Sequence, residues 1–291
     1  MIRTNRERLV VMSVLGEVVS PIFRKMPYNI SPEGEAVVLP GVGGITYNVR
    51  IGDKAVGWEG DHVEPGVSIK NLEKGEGKSA NTALNILCCV GNEARMVSGE
   101  AKGERGVVTG KHGGIEHVLV DFEPEILKTL VIGDKVMVRA CGLGLKLLDC
   151  ADVRVMNIDP GLLEKIPLAC EDGVLSVPVT QAIPAAAMGS GIGTSHAYSG
   201  DYDMQLADTT VIEEHGLEDV RLGDLVALMD ADHTYGRVYR KGAVSIGVVV
   251  HCDCVVSGHG PGVMTVLTSS QGKILPSIDP EANVANYIGI R

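Results

Sequence analysis

The chain has 291 residues, 45% hydrophobic and 22% charged, with 37 acidic against 26 basic side chains and a formal net charge of -11. That balance belongs to a globular protein able to bury a sizeable core and excludes a disordered chain. It also repels phosphate backbones and anionic lipid, so neither nucleic acid nor a membrane is an expected partner.

From the N-terminus, the apolar stretch 9–15 is far too short to span a bilayer, and Glu17 follows it before any small-residue cleavage site. The expectation is a cytoplasmic protein. Short runs rich in valine and isoleucine then recur between Gly, Pro, Asn and Asp, and predict strands at 36–39, 45–51, 94–98, 106–109, 117–122 and 135–140. Between them the sequence predicts brief helices at 81–89, capped by Ser79, and at 123–130, with Pro124 near its start. A strand at 153–157 and a helix at 161–166 after Asp159-Pro160 come next, followed by strands at 174–179, 225–230, 243–251 and 263–268.

Aromatic residues are only 3% of the chain while glycines number 37, so aliphatic side chains must fill the core and turns must be frequent. The predicted fold is therefore mainly β, with β-barrel or β-sandwich modules and a few short connecting helices. Turn formers between 157 and 173 place a boundary there, giving β-rich modules at 1–160 and 161–291, or one interlocked domain. A weak repeat runs through both parts: 49–55, 130–136 and 220–226 share an aliphatic-Gly-Asp-x-aliphatic core, in which Gly-Asp is expected to turn the chain into a new strand.

The seven cysteines are an odd number and form no C-x-x-C pair, which fits reduced thiols in a reducing compartment. In an extended strand over 243–254, alternation places Cys252 and Cys254 on the apolar face with Val244, Ile246, Val248 and Val250. His251 and Asp253 then share the other face, and the two thiols are expected to be core residues rather than zinc ligands.

Histidines and carboxylates gather in five glycine-flanked turns. These are 60–65 (Gly-Asp-His-Val-Glu-Pro), 109–117 (Thr-Gly-Lys-His-Gly-Gly-Ile-Glu-His), the region after the glycine run 189–193, 230–236 (Asp-Ala-Asp-His-Thr-Tyr-Gly) and 257–262 (Ser-Gly-His-Gly-Pro-Gly). In extended conformation Asp201 and Asp203 project from one face, as a carboxylate pair sharing a cation must. Imidazole with carboxylate suits zinc, manganese or iron(II). The glycine run lacks the spacing and the following helix of a dinucleotide loop, and no G-x-S-x-G or Walker pattern occurs.

The segments 39–48, 110–117, 200–203 and 257–262 together resemble an uncharacterised prokaryotic family known only as a domain of unknown function; the resemblance covers nearly the whole chain. A fainter similarity is to the acetamidase and formamidase family of β-rich, metal-dependent amidases. Its Gly-Asn-x-Asp and Gly-Asp-x-His motifs have approximate counterparts in Gly200-Asp-Tyr-Asp203 and Asp230-Ala-Asp-His233.

The expected function is metal-assisted hydrolysis of a small amide or related carbonyl compound, the alternative being a non-catalytic small-molecule binder, in either case as a homo-oligomer or a single chain. In the first reading Asp201, Asp203, His233 and His251 hold a divalent ion. His259 or Glu116 moves the proton to the leaving nitrogen. His112 contacts the ligand, and Gly113, Gly114, Gly258 and Gly260 present backbone N–H groups to it.

Overall fold

In the first half, β-branched runs between turn formers give β1 (Met12–Val18), β2 (Asn29–Ile30), β3 (Ala36–Val37), β4 (Ile45–Thr46), β5 (Gly66–Lys70), β6 (Glu93–Met96), β7 (Arg105–His112), β8 (His117–Asp121) and β9 (Lys135–Ala140). Two short helices, α1 (Lys78–Leu87) and α2 (Pro124–Leu127), connect them. The structure, a computed structural model, describes residues 2–23, 28–73, 78–206 and 208–290. The cap expected from Ser79 lies outside the described side chains.

β1, β9, β6, β7, β8 and β5 pair antiparallel in that order, and β5 pairs back to β1. A sheet joined edge to edge is a closed six-stranded barrel, which leaves no ring strand open for pairing with another chain. Its interior is aliphatic apart from Phe122: Val67, Ile69, Ala94, Met96, Val108, Val118, Val120, Val136 and Val138. β1 and β5 escape the sequence reading. β5 is buried on nearly every residue and so shows no apolar–polar alternation, while β1 begins with exposed apolar residues.

The second half provides β10 (Arg154–Val155), α3 (Pro160–Lys165), β11 (Ala169–Glu171), β12 (Val174–Val179), β13 (Gln181–Ile183), β14 (Tyr202–Asp203), α4 (Thr209–His215), β15 (Leu225–Asp232), β16 (Val238–His251), β17 (Gly262–Ser269), β18 (Ile274–Ile278) and α5 (Val284–Ile288). They form one sheet ordered β10-β17-β16-β15-β13, with β14 added on β17, and a smaller sheet β11-β12-β18. Asp159 caps α3 by accepting the Gly161 N–H at 2.7 Å, with Pro160 in the first turn as the sequence predicts. Among the described residues no helix is long and apolar enough to cross a membrane.

The Gly-Asp repeat is one turn used three times. Asp53, Asp134 and Asp224 accept the backbone N–H of Arg50, Val131 and Arg221 at 2.8, 3.0 and 2.8 Å. The glycine before each has φ of +94°, +91° and +86°, the left-handed region that glycine occupies without strain. The second and third copies lead into β9 and β15 as expected. The first does not; it pairs with the third through Gly52 N–H to Leu222 O and Leu222 N–H to Asp53 O.

Cys150 and Cys170 form a disulfide, which corrects the expectation of seven reduced thiols. The remaining five are free.

The two halves share a core in which Leu119 of β8 packs with Val244, Ile246, Val248 and Val250 of β16. A buried polar junction also ties them. Lys111 Nζ donates to Asn157 Oδ1 and to the Tyr198 carbonyl, both at 2.9 Å, and Asn157 Nδ2 donates to the carbonyls of Ala197 and Thr265, both at 2.8 Å. Asn157 also sits at φ +56°, a region asparagine tolerates better than most residues. Asn157→Ala is therefore expected to cost about 3–5 kcal/mol in denaturant unfolding, because it leaves a buried ammonium short of an acceptor and two carbonyls without donors. A loss below 1 kcal/mol would show that water replaces the amide.

Candidate functional site

β7 carries the barrel to the second sheet. A bulge between Val108 and Gly110 ends its barrel-facing pattern, and a Cβ on Gly110 would lie 2.5 Å from Val250 Cγ1, so the missing side chain lets β7 approach β16 closely. His112 thereby comes against His251, at the end of β16, with ring centroids 4.3 Å apart. His112 pairs directly with His117 across the β7–β8 ladder, so both rings leave from one face.

Glu64 receives those two rings. Its carboxylate accepts from His112 Nδ1 at 2.6 Å, from His117 Nδ1 at 2.9 Å, from the Gly43 N–H at 2.8 Å and from the Ser68 hydroxyl. It is completely buried, and although burial alone raises its pKa, the bonds from His112 and His117 prevail and hold it well below the usual carboxylate range. With Nδ1 bonded to Glu64, His112 has its Nε2 available for a ligand.

The carboxylate pair comes from β14 and the residue just before it. Asp201 and Asp203 leave one face and Tyr202 the other, since side chains alternate along an extended segment. Asp201 Oδ1 accepts the Gly113 N–H at 2.7 Å, while Oδ2 lies 2.6 Å from His251 Nε2. His251 Nδ1 bonds the Cys252 carbonyl at 2.8 Å, which makes Nδ1 the donor and aims Nε2 at the aspartates. Neither Asp201 Oδ2 nor His251 Nε2 has a partner in hydrogen-bond geometry, although both atoms are buried. A proton or a cation between them would satisfy both. Burial lowers the pKa of His251, but Asp201 and Asp203 more than compensate and raise it well above its ordinary value.

His112, Asp201 and His251 can each direct one ligand atom into a common space, all within 4.8 Å of one another. A second such group, His62, Cys254 and His259, adjoins it, with His62 5.3 Å from His251 between ring centroids. Asp203 links the two, its Oδ2 bonded to His259 Nδ1 at 3.0 Å and its Oδ1 3.7 Å from His251 Nε2. His62 Nδ1 is held by Asp61 Oδ1 at 3.1 Å. A cleft of about 480 Å³ opens onto the cluster and is lined by His62, His112, Asp201, Asp203, Arg237 and His259 among others.

Of the residues expected from sequence, His112, Asp201, Asp203, His251 and His259 converge. His233 does not. It lies beside Tyr202, on the other side of β14 from the aspartates, with Nδ1 2.6 Å from Thr265 Oγ1, and burial pushes its pKa down to about 3. Glu116 stays exposed at the cleft rim, with φ of +54°, and Gly113 and Gly114 line the cleft. The Gly113 N–H is already taken by Asp201, so it cannot face an oxyanion. Gly258 and Gly260 serve the backbone instead: the Gly258 carbonyl accepts the Ser190 N–H, and Gly260 packs on the Met204 carbonyl.

Cys254 is a further correction. β16 ends at His251, and a bulge between Val249 and His251 breaks the alternation, so Cys252 enters the core with Val249 whereas Cys254 turns to His62 and His259. His62, Glu64, His117 and Arg237 complete the site without having been selected from sequence. His62 and Glu64 stand in the 60–65 turn and His117 in the 109–117 turn, which were visible; nothing local marked Arg237.

This fold and site define a β-barrel protein with a buried histidine–carboxylate centre at the junction of two sheets. The chain belongs to the DUF4438 family, a domain of unknown function whose N-terminal model matches residues 28–164 and whose C-terminal model matches 165–288. It is similar to the crystal structure of TM1086, with 52% identity, a TM-score of 0.93, and coverage of 98% of this chain and 99% of that one. No curated protein matches the chain, so the amidase likeness rests on its two short motifs alone.

Proposed function

We propose that the protein is a metal-assisted hydrolase of a small amide or related carbonyl compound, with a divalent ion held by His112, Asp201 and His251. The observation that carries this reading is the convergence of one ligand atom each from His112, Asp201 and His251 within 4.8 Å of one another beside the cleft, with the other nitrogen of His112 fixed by Glu64. Three oriented ligands that leave positions open for water are the donor set of a catalytic rather than a closed structural site. A bound ion lowers the pKa of its water and polarises a carbonyl.

The chain's own groups supply the rest. Hydrolysis forms a C–O bond from water and breaks the C–N bond, and the departing nitrogen takes up a proton. His259, oriented by Asp203 and partly open to the cleft, is placed to deliver it. Elemental analysis of the purified protein, with turnover of an amide panel before and after chelation, tests the reading. About one divalent ion per chain and chelator-sensitive hydrolysis are expected. No stoichiometric metal and no metal-stimulated turnover would sink it, and ligand-dependent thermal stabilisation with the compound unchanged would favour a binding protein.

Gly262 gives an independent check. A Cβ there would meet Asp201 Oδ2 at 2.0 Å and His251 Nε2 at 2.2 Å. Gly262→Ala should therefore force the two ligands apart and abolish metal uptake, while overpacking lowers stability by about 1–3 kcal/mol. Undiminished metal content in a folded Gly262→Ala protein would place the ion elsewhere.

A further inference from the structure

Arg237 is a buried cation that the metal-assisted reading leaves without a task. The residue is 2% exposed, yet it lines the cleft together with Asp201, Asp203 and His259. Its Nε and Nη2 are both buried without a hydrogen-bond partner. The residue is anchored at its base: the Arg237 N–H donates to the Thr194 carbonyl at 3.0 Å and its carbonyl accepts the Gly193 N–H at 2.8 Å.

A guanidinium keeps its proton even when buried, so two unsatisfied donors on it are costly. Nε and Nη2 form one edge of the guanidinium fork, and their spacing matches the two oxygens of a carboxylate. Ser190, Thr194 and Ser199 line the same cleft, so the surroundings are polar rather than apolar.

We infer that Arg237 binds a carboxylate group of the substrate, which makes the substrate a small anionic amide rather than a neutral one. The amide end of this assignment rests on the metal-assisted reading; the carboxylate end does not. Asp201 and Asp203 attract the guanidinium through space but accept no hydrogen bond from its Nε or Nη2, so these two donors still lack the acceptor that a substrate carboxylate would supply. The metal and Arg237 would then divide the substrate between its reacting and non-reacting ends.

The test uses succinamate, which carries one amide and one carboxylate, and its neutral diamide succinamide as probes. Binding to the full-length protein is measured by calorimetry with metal content determined on the same samples. Succinamate should bind at least about tenfold more tightly than succinamide, since losing a charged bidentate contact typically costs more than 1.4 kcal/mol, a factor of ten. Arg237→Ala should lose that preference and keep its metal, and Arg237→Lys should recover it only in part.

Equal binding of the two probes by the wild type, or an Arg237→Ala protein that binds succinamate unchanged, overturns the inference. Should Arg237→Ala fail to fold, the wild-type comparison of the two probes decides alone. A protein that holds no metal but binds succinamate through Arg237 keeps the inference and discards the metal reading. One that holds metal and hydrolyses neutral amides while ignoring succinamate does the reverse.

Discussion

Asp201→Asn is expected to remove bound divalent metal and to abolish metal-stimulated turnover while leaving the fold intact. The reason lies in the two oxygens of the residue. Oδ1 accepts the Gly113 N–H, a bond that the asparagine carbonyl preserves, whereas Oδ2 faces His251 Nε2 at 2.6 Å. In the variant an amide N–H replaces that oxygen and can donate to the imidazole. A ligand is thus exchanged for a satisfied neutral hydrogen bond. Metal affinity should fall by more than the roughly 10–100-fold typical of losing a supporting residue, because a ligand itself is lost. Thermal unfolding without metal should stay close to that of the metal-free wild type. An Asp201→Asn protein that retains stoichiometric metal would exclude Asp201 as a ligand.

Glu64→Gln should have the next largest effect, through both stability and metal affinity. Every neighbour of this carboxylate is a donor: His112, His117, the Gly43 N–H and the Ser68 hydroxyl. Glutamine offers one oxygen and turns an NH₂ group toward the remaining donors, so buried N–H groups oppose each other. The expected destabilisation is about 2–4 kcal/mol, and metal affinity should drop by roughly 10–100-fold as His112 loses its orientation.

The pH dependence separates this from simple packing damage. The folded pKa of Glu64 lies below its ordinary value of 4.5. The stability contributed by its ionised form is therefore fully present above that value and is lost as pH falls below it. Denaturant unfolding from about pH 3 to 7 should show a shallower acid limb in Glu64→Gln than in the wild type. Identical slopes would mean that the ionised carboxylate contributes no more in the folded chain than in the unfolded one.

Much of the molecule was legible beforehand. Composition and turn punctuation place β9 and β12 at the residues where they occur, and predict β-barrel or β-sandwich modules with few helices; the structure has a closed barrel in the first half. The glycine-flanked turns also mark four of the residues that converge, His112, Asp201, Asp203 and His259, and the end of the strand over 243–251 marks the fifth, His251. Where the reading failed, it failed for identifiable reasons. β5 is buried along nearly its whole length and carries no alternation. The face assignment of Cys254 assumed that the strand continues through 254, whereas β16 ends at His251 and the chain turns Cys254 to His62 and His259. His233 looked equivalent to the other turn histidines because sequence does not say on which side of β14 it will fall.

The sequence by itself determined the fold class, the positions of most strands and the turn chemistry, because these follow from side-chain branching, glycine and short-range hydrogen bonding. Only the tertiary structure decided which turns meet. Closing the barrel, seating β7 on β16 through Gly110 and placing Glu64 between His112 and His117 are contacts between residues far apart in sequence. Such contacts depend on register and bulges, which no local pattern encodes. The two Arg237 guanidinium nitrogens that lack a hydrogen-bond acceptor are of the same kind: their meaning lies in what surrounds them, and the chain assembles those surroundings only on folding.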